Sequence, residues 1–126
     1  MADWYDVARI AAALPETDEQ TPRTWRVRKK RIAWERPLRK ADLAALGADA
    51  PTGDILGVRV SDEGVKLALV ADDPAVYFTT PHFDGYPIVL IRLAAIEPDE
   101  LEELVSEAWL TQAPATLVEK FLADVQ

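Results

Sequence analysis

The sequence contains no cysteine, which excludes disulfides, thiolate-ligated zinc, iron–sulfur clusters and cysteine nucleophiles by the count itself. That fits a reducing cytoplasm, and a cytoplasmic location is the expectation. Histidine occurs once, at position 82. Transition-metal sites draw several nitrogen or sulfur ligands, so no metal site is expected, and no cofactor either. No segment approaches the roughly 18 consecutive apolar residues of a membrane-spanning helix. The chain also begins with acids, Asp3 and Asp6, where a signal peptide would be basic, and no membrane partner is expected. Internal repeats, low-complexity stretches and long linkers are missing too, so residues 1–126 read as one domain of ordinary size.

What is present is an ordinary globular balance, 49% hydrophobic and 29% charged residues, enough to fold around one core. Net charge is −8, which argues against a general affinity for polyanions. The distribution is uneven. Residues 23–40 hold Arg23, Arg26, Arg28, Lys29, Lys30, Arg31, Arg36, Arg39 and Lys40 against the single acid Glu35, a window of +8 that leaves −16 for the remainder. Salt screens charges over about 8 Å, so such a ridge acts locally on a molecule that is negative overall.

Helical spacing of Trp4, Val7, Ile10, Ala11 and Leu14 after a capping Asp3 predicts a helix over 4–14, stopped by Pro15. A polar loop is expected from Glu16 to Pro22. Beyond it, alternation of Trp25 and Val27 with Arg26 and Arg28, and of Ile32 and Trp34 with Ala33 and Glu35, predicts a hairpin turning at Lys29 and Lys30. In this reading Trp25, Val27, Ile32 and Trp34 are buried on one face, while Arg26, Arg28, Lys29 and Lys30 stay in water.

A short helix is predicted over Lys40–Leu46, closed by Gly47, followed by a loop from Ala48 to Asp54 and a strand over Ile55–Val60. Residues 62–71 fit a strand and a helix equally well. A turn at Asp72–Pro74, a strand over Val76–Thr79, a compact loop over Pro81–Pro87 and a long strand over Ile88–Ile96 follow. Pro98 and the acids after it begin a helix over 98–112, and after Pro114 a last helix presents Leu117, Val118, Phe121, Leu122 and Val125. This order is that of an α+β two-layer sandwich, an antiparallel sheet with its helices on one face and the other face available.

Three stretches, WRVRKKRIA (Trp25–Ala33), VYFTTPHFDGYPIVLIRL (Val76–Leu93) and AWLTQAPATLVEKFL (Ala108–Leu122), together resemble the MmcQ/YjbR family of small bacterial proteins. The segment from Tyr77 to Leu93 is the most specific. The resemblance implies a two-layer arrangement similar to bacterial frataxin (CyaY-like), makes residues 62–71 a helix, and implies DNA binding, with paired hairpins acting as a double wing. This chain departs from the usual pattern by inserting residues 37–53.

Candidate contacts for nucleic acid are Arg26, Arg28, Lys29, Lys30, Arg31, Arg36, Arg39 and Lys40, whose ammonium and guanidinium groups can neutralise neighbouring phosphates. The family-motif loop, Thr79, Thr80, Pro81, His82, Asp84, Gly85 and Tyr86, serves structure or a ligand. Catalysis by His82 would need a nucleophile and an orienting group, and Asp84 and Thr80 are mere sequence neighbours. His82 and Asp84 are therefore expected to hydrogen-bond the loop's own backbone, with Gly85 at positive φ. Glu97, Asp99, Glu100, Glu102, Glu103 and Glu107 read as a solvated helix start. They lie on a different helix from the acidic, iron-binding one of frataxin. Trp4, Trp25, Trp34 and Trp109 pattern as core. The expected function is that of a non-enzymatic binding domain with weak, non-specific affinity for DNA, the alternative being a module for a protein or small-molecule partner.

Overall fold

Asp3 opens the first helix, α1 (Trp4–Ala12), by accepting a hydrogen bond from the Asp6 amide at 2.9 Å, and the Asp6 carboxylate accepts one from the Asp3 amide at 3.1 Å. This computed structural model describes residues 1–124, so Val125 lies outside the described residues. Val7, Ile10 and Ala11 form the buried stripe of α1.

The polar segment expected as a loop is instead an edge strand, β1 (Thr17–Thr21), antiparallel to β2 (Thr24–Val27). Its side chains are almost all exposed, so no apolar alternation marks it, and the pairing is carried by the backbone. Acids on an outermost strand also discourage pairing with another chain. From β2 the chain turns at Arg28–Lys29 into β3 (Lys30–Glu35), one residue earlier than expected. Arg28 takes φ +56°, the left-handed conformation that the first loop residue of such a tight hairpin requires.

The β2–β3 ladder contains a bulge. Trp25 pairs with Ala33 but Arg26 pairs with Arg31, leaving Ile32 as the extra residue. Ile32 and Ala33 therefore both face the main core, while Arg31 and Trp34 come together on the opposite face, the guanidinium 4.0 Å from the indole centroid. The expected grouping of Ile32 with Trp34 is thus corrected. Strict alternation fails at the bulge, although Trp25, Val27, Ile32 and Trp34 are all buried as expected.

After β3 come α2 (Lys40–Leu46), with Gly47 at φ +58°, β4 (Ile55–Arg59), α3 (Glu63–Asp72) and β5 (Tyr77–Phe78). Asp62 caps α3 through the Val65 amide at 2.9 Å, which settles residues 62–71 as a helix. The strand expected to reach Ile96 ends earlier. β6 covers Ile88–Arg92, and Leu93–Ala95 form a 3₁₀ turn that still buries Leu93 and Ile96. α4 (Pro98–Gln112) and α5 (Ala115–Asp124) complete the chain.

Among the described residues, five α-helices accompany a six-stranded antiparallel sheet ordered β1-β2-β3-β4-β6-β5, an α+β sandwich. β4 and β5 both pair with β6 and so run parallel to each other, joined by the α3 crossover. One face packs Trp25, Val27, Ala33, Leu56, Val58 and Ile91 against the buried residues of α1 and α4. The opposite face, expected to be free, is covered over part of its width. Phe78, Leu90 and Ile55 pack there with Phe83 of the Pro81–Phe83 turn and with Leu38 and Leu46, which flank and end α2. Leu38 and Leu46, with Phe83, thus cover the β4–β6–β5 end, while the β2–β3 end of this outer face keeps the polar Thr24, Arg26 and Arg31 at least partly in water.

Candidate anion-binding face

The eight candidate basic residues divide into those held by acids and those left without them. Arg28 donates to Glu16 through Nε at 2.9 Å and Nη2 at 3.2 Å. That hydrogen-bonded pairing lowers the Glu16 carboxyl pKa and raises the Arg28 guanidinium. Arg36 is buried, against the expectation of a solvent-facing contact. Its Nη2 lies 3.1 Å from Asp42 Oδ2, its Nη1 donates to the Pro37 carbonyl, and its guanidinium sits 5.2 Å from the Phe83 ring centroid. Burial pushes the Asp42 carboxyl up, but the hydrogen bond from the Arg39 amide and the Arg36 charge outweigh it and hold the pKa below the ordinary aspartate value.

Arg26, Lys29, Lys30, Arg31, Arg39 and Lys40 make no ion pair with a carboxylate among the described residues. Lys29, Lys30, Arg31, Arg39 and Lys40 are exposed. Arg26, expected to be exposed, is half-buried, and its Nε is buried without a hydrogen-bond partner. Its neighbours across the ladders are Asp18 on β1 and Arg31 on β3. Partial burial, and then the Arg26 charge, lower the Arg31 guanidinium pKa. Two cations directly opposite each other on a sheet are destabilising, and a bound anion relieves that repulsion.

Beside this pair lies a pocket of about 340 Å³ lined by Arg31, Trp34, Arg36, Arg39, His82 and Phe83, with Glu35 and Pro37 completing its wall. Glu35 is engaged elsewhere, accepting from Arg23 Nη1 at 3.0 Å. Gly57 makes room for Trp34: a Cβ at that position would meet the indole at 2.9 Å. The indole therefore lies across β4 with Arg31 over it, and burial as low as 5% exposure does not place it in the main core where its spacing predicted it.

The family-motif loop brings His82 to the pocket, its ring edge-on to Phe83 with centroids 4.8 Å apart. Neither His82 nor Asp84 makes the expected side-chain hydrogen bond to the loop backbone among the described residues. That work falls to α3, which sequence reasoning missed. Lys66, 1% exposed, donates from Nζ to the carbonyls of Phe83 at 2.6 Å and Tyr86 at 3.0 Å, and Glu63 accepts from the Gly85 amide at 2.6 Å. Gly85 has φ +82°, as expected. Thr80 is buried, Thr79 half-buried, and Pro81 and Tyr86 are exposed.

A larger groove, about 700 Å³, runs between α3 and α4 over Val60, Leu69, Leu104 and Tyr77, rimmed by Glu100, Glu103 and Glu107. Burial, together with the hydrogen bond donated to Glu100 at 2.9 Å, raises the Tyr77 phenol pKa. This carboxylate rim repels anions, so size alone does not make the groove the partner of the basic face. Among the described residues no group of His, Asp and Glu side chains converges as a metal site, and no described helix is long and apolar enough to cross a membrane.

Fold and face together define a small α+β domain whose cationic hairpin region, only partly ion-paired to carboxylates among the described residues, sits on a largely acidic body. The chain matches the YjbR family over residues 12–111 and belongs to it. It is 66% identical over 127 aligned residues to an uncharacterized protein of Mycobacterium bovis and to uncharacterized proteins of two Mycobacterium tuberculosis strains, with 98% of each chain covered. No solved structure matches it.

Proposed function

We propose that this protein is a non-enzymatic binding domain whose outer hairpin face holds phosphates of DNA, weakly and without sequence preference. The observation that supports this most is the cross-strand pairing of Arg26 with Arg31, two guanidiniums with no carboxylate ion-paired to either among the described residues, although Asp18 stands opposite Arg26 on β1. Folded proteins ordinarily avoid such a pair. Lys29 in the turn and Lys30, which stands opposite Val27 on the other side of the ladder, add exposed cations at the hairpin tip, and Arg39 and Lys40 add exposed cations at the start of α2. A binding role is preferred to catalysis because His82 shares its pocket with arginines and, among the described residues, has no hydrogen-bonded carboxylate to orient it as a base.

The test is duplex binding by fluorescence anisotropy across a salt series. With four or five phosphates neutralised, log affinity falls against log salt with a slope of about −4. Dissociation constants at physiological salt fall between about 10⁻⁴ and 10⁻⁶ M, the non-specific range, because the acidic remainder repels the polyanion. Replacing Lys29, Lys30 and Arg31 with alanine reduces the slope by about 2.7. Arg28→Ala leaves it unchanged, since that guanidinium is already held by Glu16. A wild-type protein without salt-dependent binding, or a triple variant that binds equally well, refutes the proposal. The alternative, a protein or small-molecule partner, then rests on the groove between α3 and α4, whose apolar floor and carboxylate rim suit a cationic ligand.

A further inference from the structure

We propose that the pocket between Trp34 and the Pro81–Phe83 turn is a distinct site for a phosphate monoester of mononucleotide size. It rests on the reading of the outer face as anion-binding but asks for a different ligand from the hairpin turn. The pocket collects guanidiniums from Arg31 on β3, Arg36 after it and Arg39 before α2, and adds the His82 imidazole from the family-motif loop. Three of these groups come from the stretch 31–39 and the fourth from a distant loop, and the carboxylate in the wall, Glu35, is occupied by Arg23.

Arg36 is the immobile part of this wall. It is 6% exposed, and although Asp42 lies within ion-pair distance, its Nη2 has no aligned hydrogen-bond acceptor. Arg36, held by Asp42, is a fixed wall of the pocket, and Arg31, Arg39 and His82 are the groups left to meet a ligand. The ion pair also fixes where Arg39 stands, because Asp42 Oδ2 accepts from the Arg39 amide at 2.8 Å.

Volume and charge then select the ligand. About 340 Å³ lies at the lower end of small-molecule sites and is far too small for a duplex. A monoester carries about −1.5 to −2 at neutral pH and presents three acceptor oxygens, whereas a backbone diester carries one charge. Converging guanidiniums favour the group with more charge and more acceptors.

The experiment titrates the protein with adenosine 5′-monophosphate, inorganic phosphate and dimethyl phosphate, read by calorimetry and by amide chemical shifts. The nucleotide binds at least tenfold more tightly than dimethyl phosphate, and inorganic phosphate binds in competition with it. Arg39→Ala weakens the nucleotide at least tenfold and His82→Ala several-fold, with circular dichroism unchanged. The Lys29→Ala, Lys30→Ala double variant loses affinity for duplex but keeps the nucleotide. Equal affinity for monoester and diester, or nucleotide binding indifferent to Arg39→Ala, overturns the site. Nucleotide binding without any duplex binding keeps the site and sinks the DNA reading, so the two proposals fail separately.

Discussion

Gly57 stands opposite Trp34 across the β3–β4 ladder, and Gly57→Ala tests whether that contact builds the outer face. A methyl group there would lie 2.9 Å from Trp34 Cε2, 3.0 Å from Nε1 and 3.1 Å from Cζ2. Comfortable carbon contacts are about 3.5–4.0 Å, so the ring has to withdraw by roughly 0.6 Å or tilt. It has little freedom to do so, being 5% exposed with Arg31 stacked over it. Overpacking of this kind costs about 1–3 kcal/mol, while replacing a strand glycine by alanine recovers about 0.5–1 kcal/mol from the unfolded chain. The net expectation is a loss of about 1–2 kcal/mol, a fall in Tm of roughly 4–8 °C for a domain of this size. Urea titration followed by tryptophan fluorescence measures the first quantity and calorimetry the second. Because Arg31 moves with the indole, anion affinity falls in the same variant. A Gly57→Ala protein as stable as wild type, with unchanged anion binding, would show that the indole is not held against β4 and refute the account of how Arg31 is positioned.

Lys66→Met keeps the stem of the side chain but leaves the Phe83 and Tyr86 carbonyls without their buried donor. A loss of about 3 kcal/mol is expected, with faster amide exchange confined at first to residues 81–87, and an unchanged exchange pattern would contradict the clamp. Arg36→Ala strands the Asp42 carboxylate and costs about 3 kcal/mol at neutral pH. Asp42 has a depressed pKa in the folded state, so its stabilisation is complete above the unfolded value of about 3.9 and is lost as pH falls through the lower folded one. The gap between wild type and variant should accordingly narrow below about pH 4 in denaturant titrations, and a gap constant down to pH 2 would exclude this carboxylate as its source. Arg26→Thr removes one of the two opposed guanidiniums and a buried Nε without a partner. Thermal denaturation without ligand should show stability unchanged or raised by up to about 0.5 kcal/mol, while duplex binding weakens.

Helices announce themselves in this sequence because their signals are local. Asp3 caps through its own side chain, and α4 begins at Pro98, where a first helical residue belongs; α3 is the exception, its apolar spacing fitting strand and helix alike although Asp62 caps it in the fold. The interval Lys40–Leu46 was legible for the same reason, Gly47 closing it at positive φ. What periodicity could not reveal was backbone pairing. TDEQT in β1 has no apolar face to display, since the strand lies at the sheet edge, and its existence depends on a partner elsewhere in the chain. The reach of β6 was overread for the opposite reason. Leu93 and Ile96 are buried, so apolar character continues beyond Arg92 although strand pairing does not, and burial without pairing looks the same in a sequence as a longer strand.

The candidate site was half legible, and the division follows from a single residue. Charge counting found the cations, but it could not tell that Glu16 and Asp42 occupy Arg28 and Arg36, since both acids come from outside the hairpin. Alternation placed Arg26 on the face away from the helices and the turn lysines in water, although Lys30 stands opposite Val27 on the helix side of the ladder, and then failed at Ile32. With a regular ladder, Arg31 and Trp34, three positions apart, would point to opposite sides of the sheet. The extra residue sends both outward and aligns Arg31 with Arg26. The inserted segment then adds Arg39, and the family-motif loop, clamped by Lys66, adds His82. No one of these placements follows from the residues flanking it, because each is decided by a contact with a distant element. The bulge is therefore the step at which a basic stretch of sequence becomes a pocket, and the recognition chemistry proposed for it depends on that register more than on the number of charges.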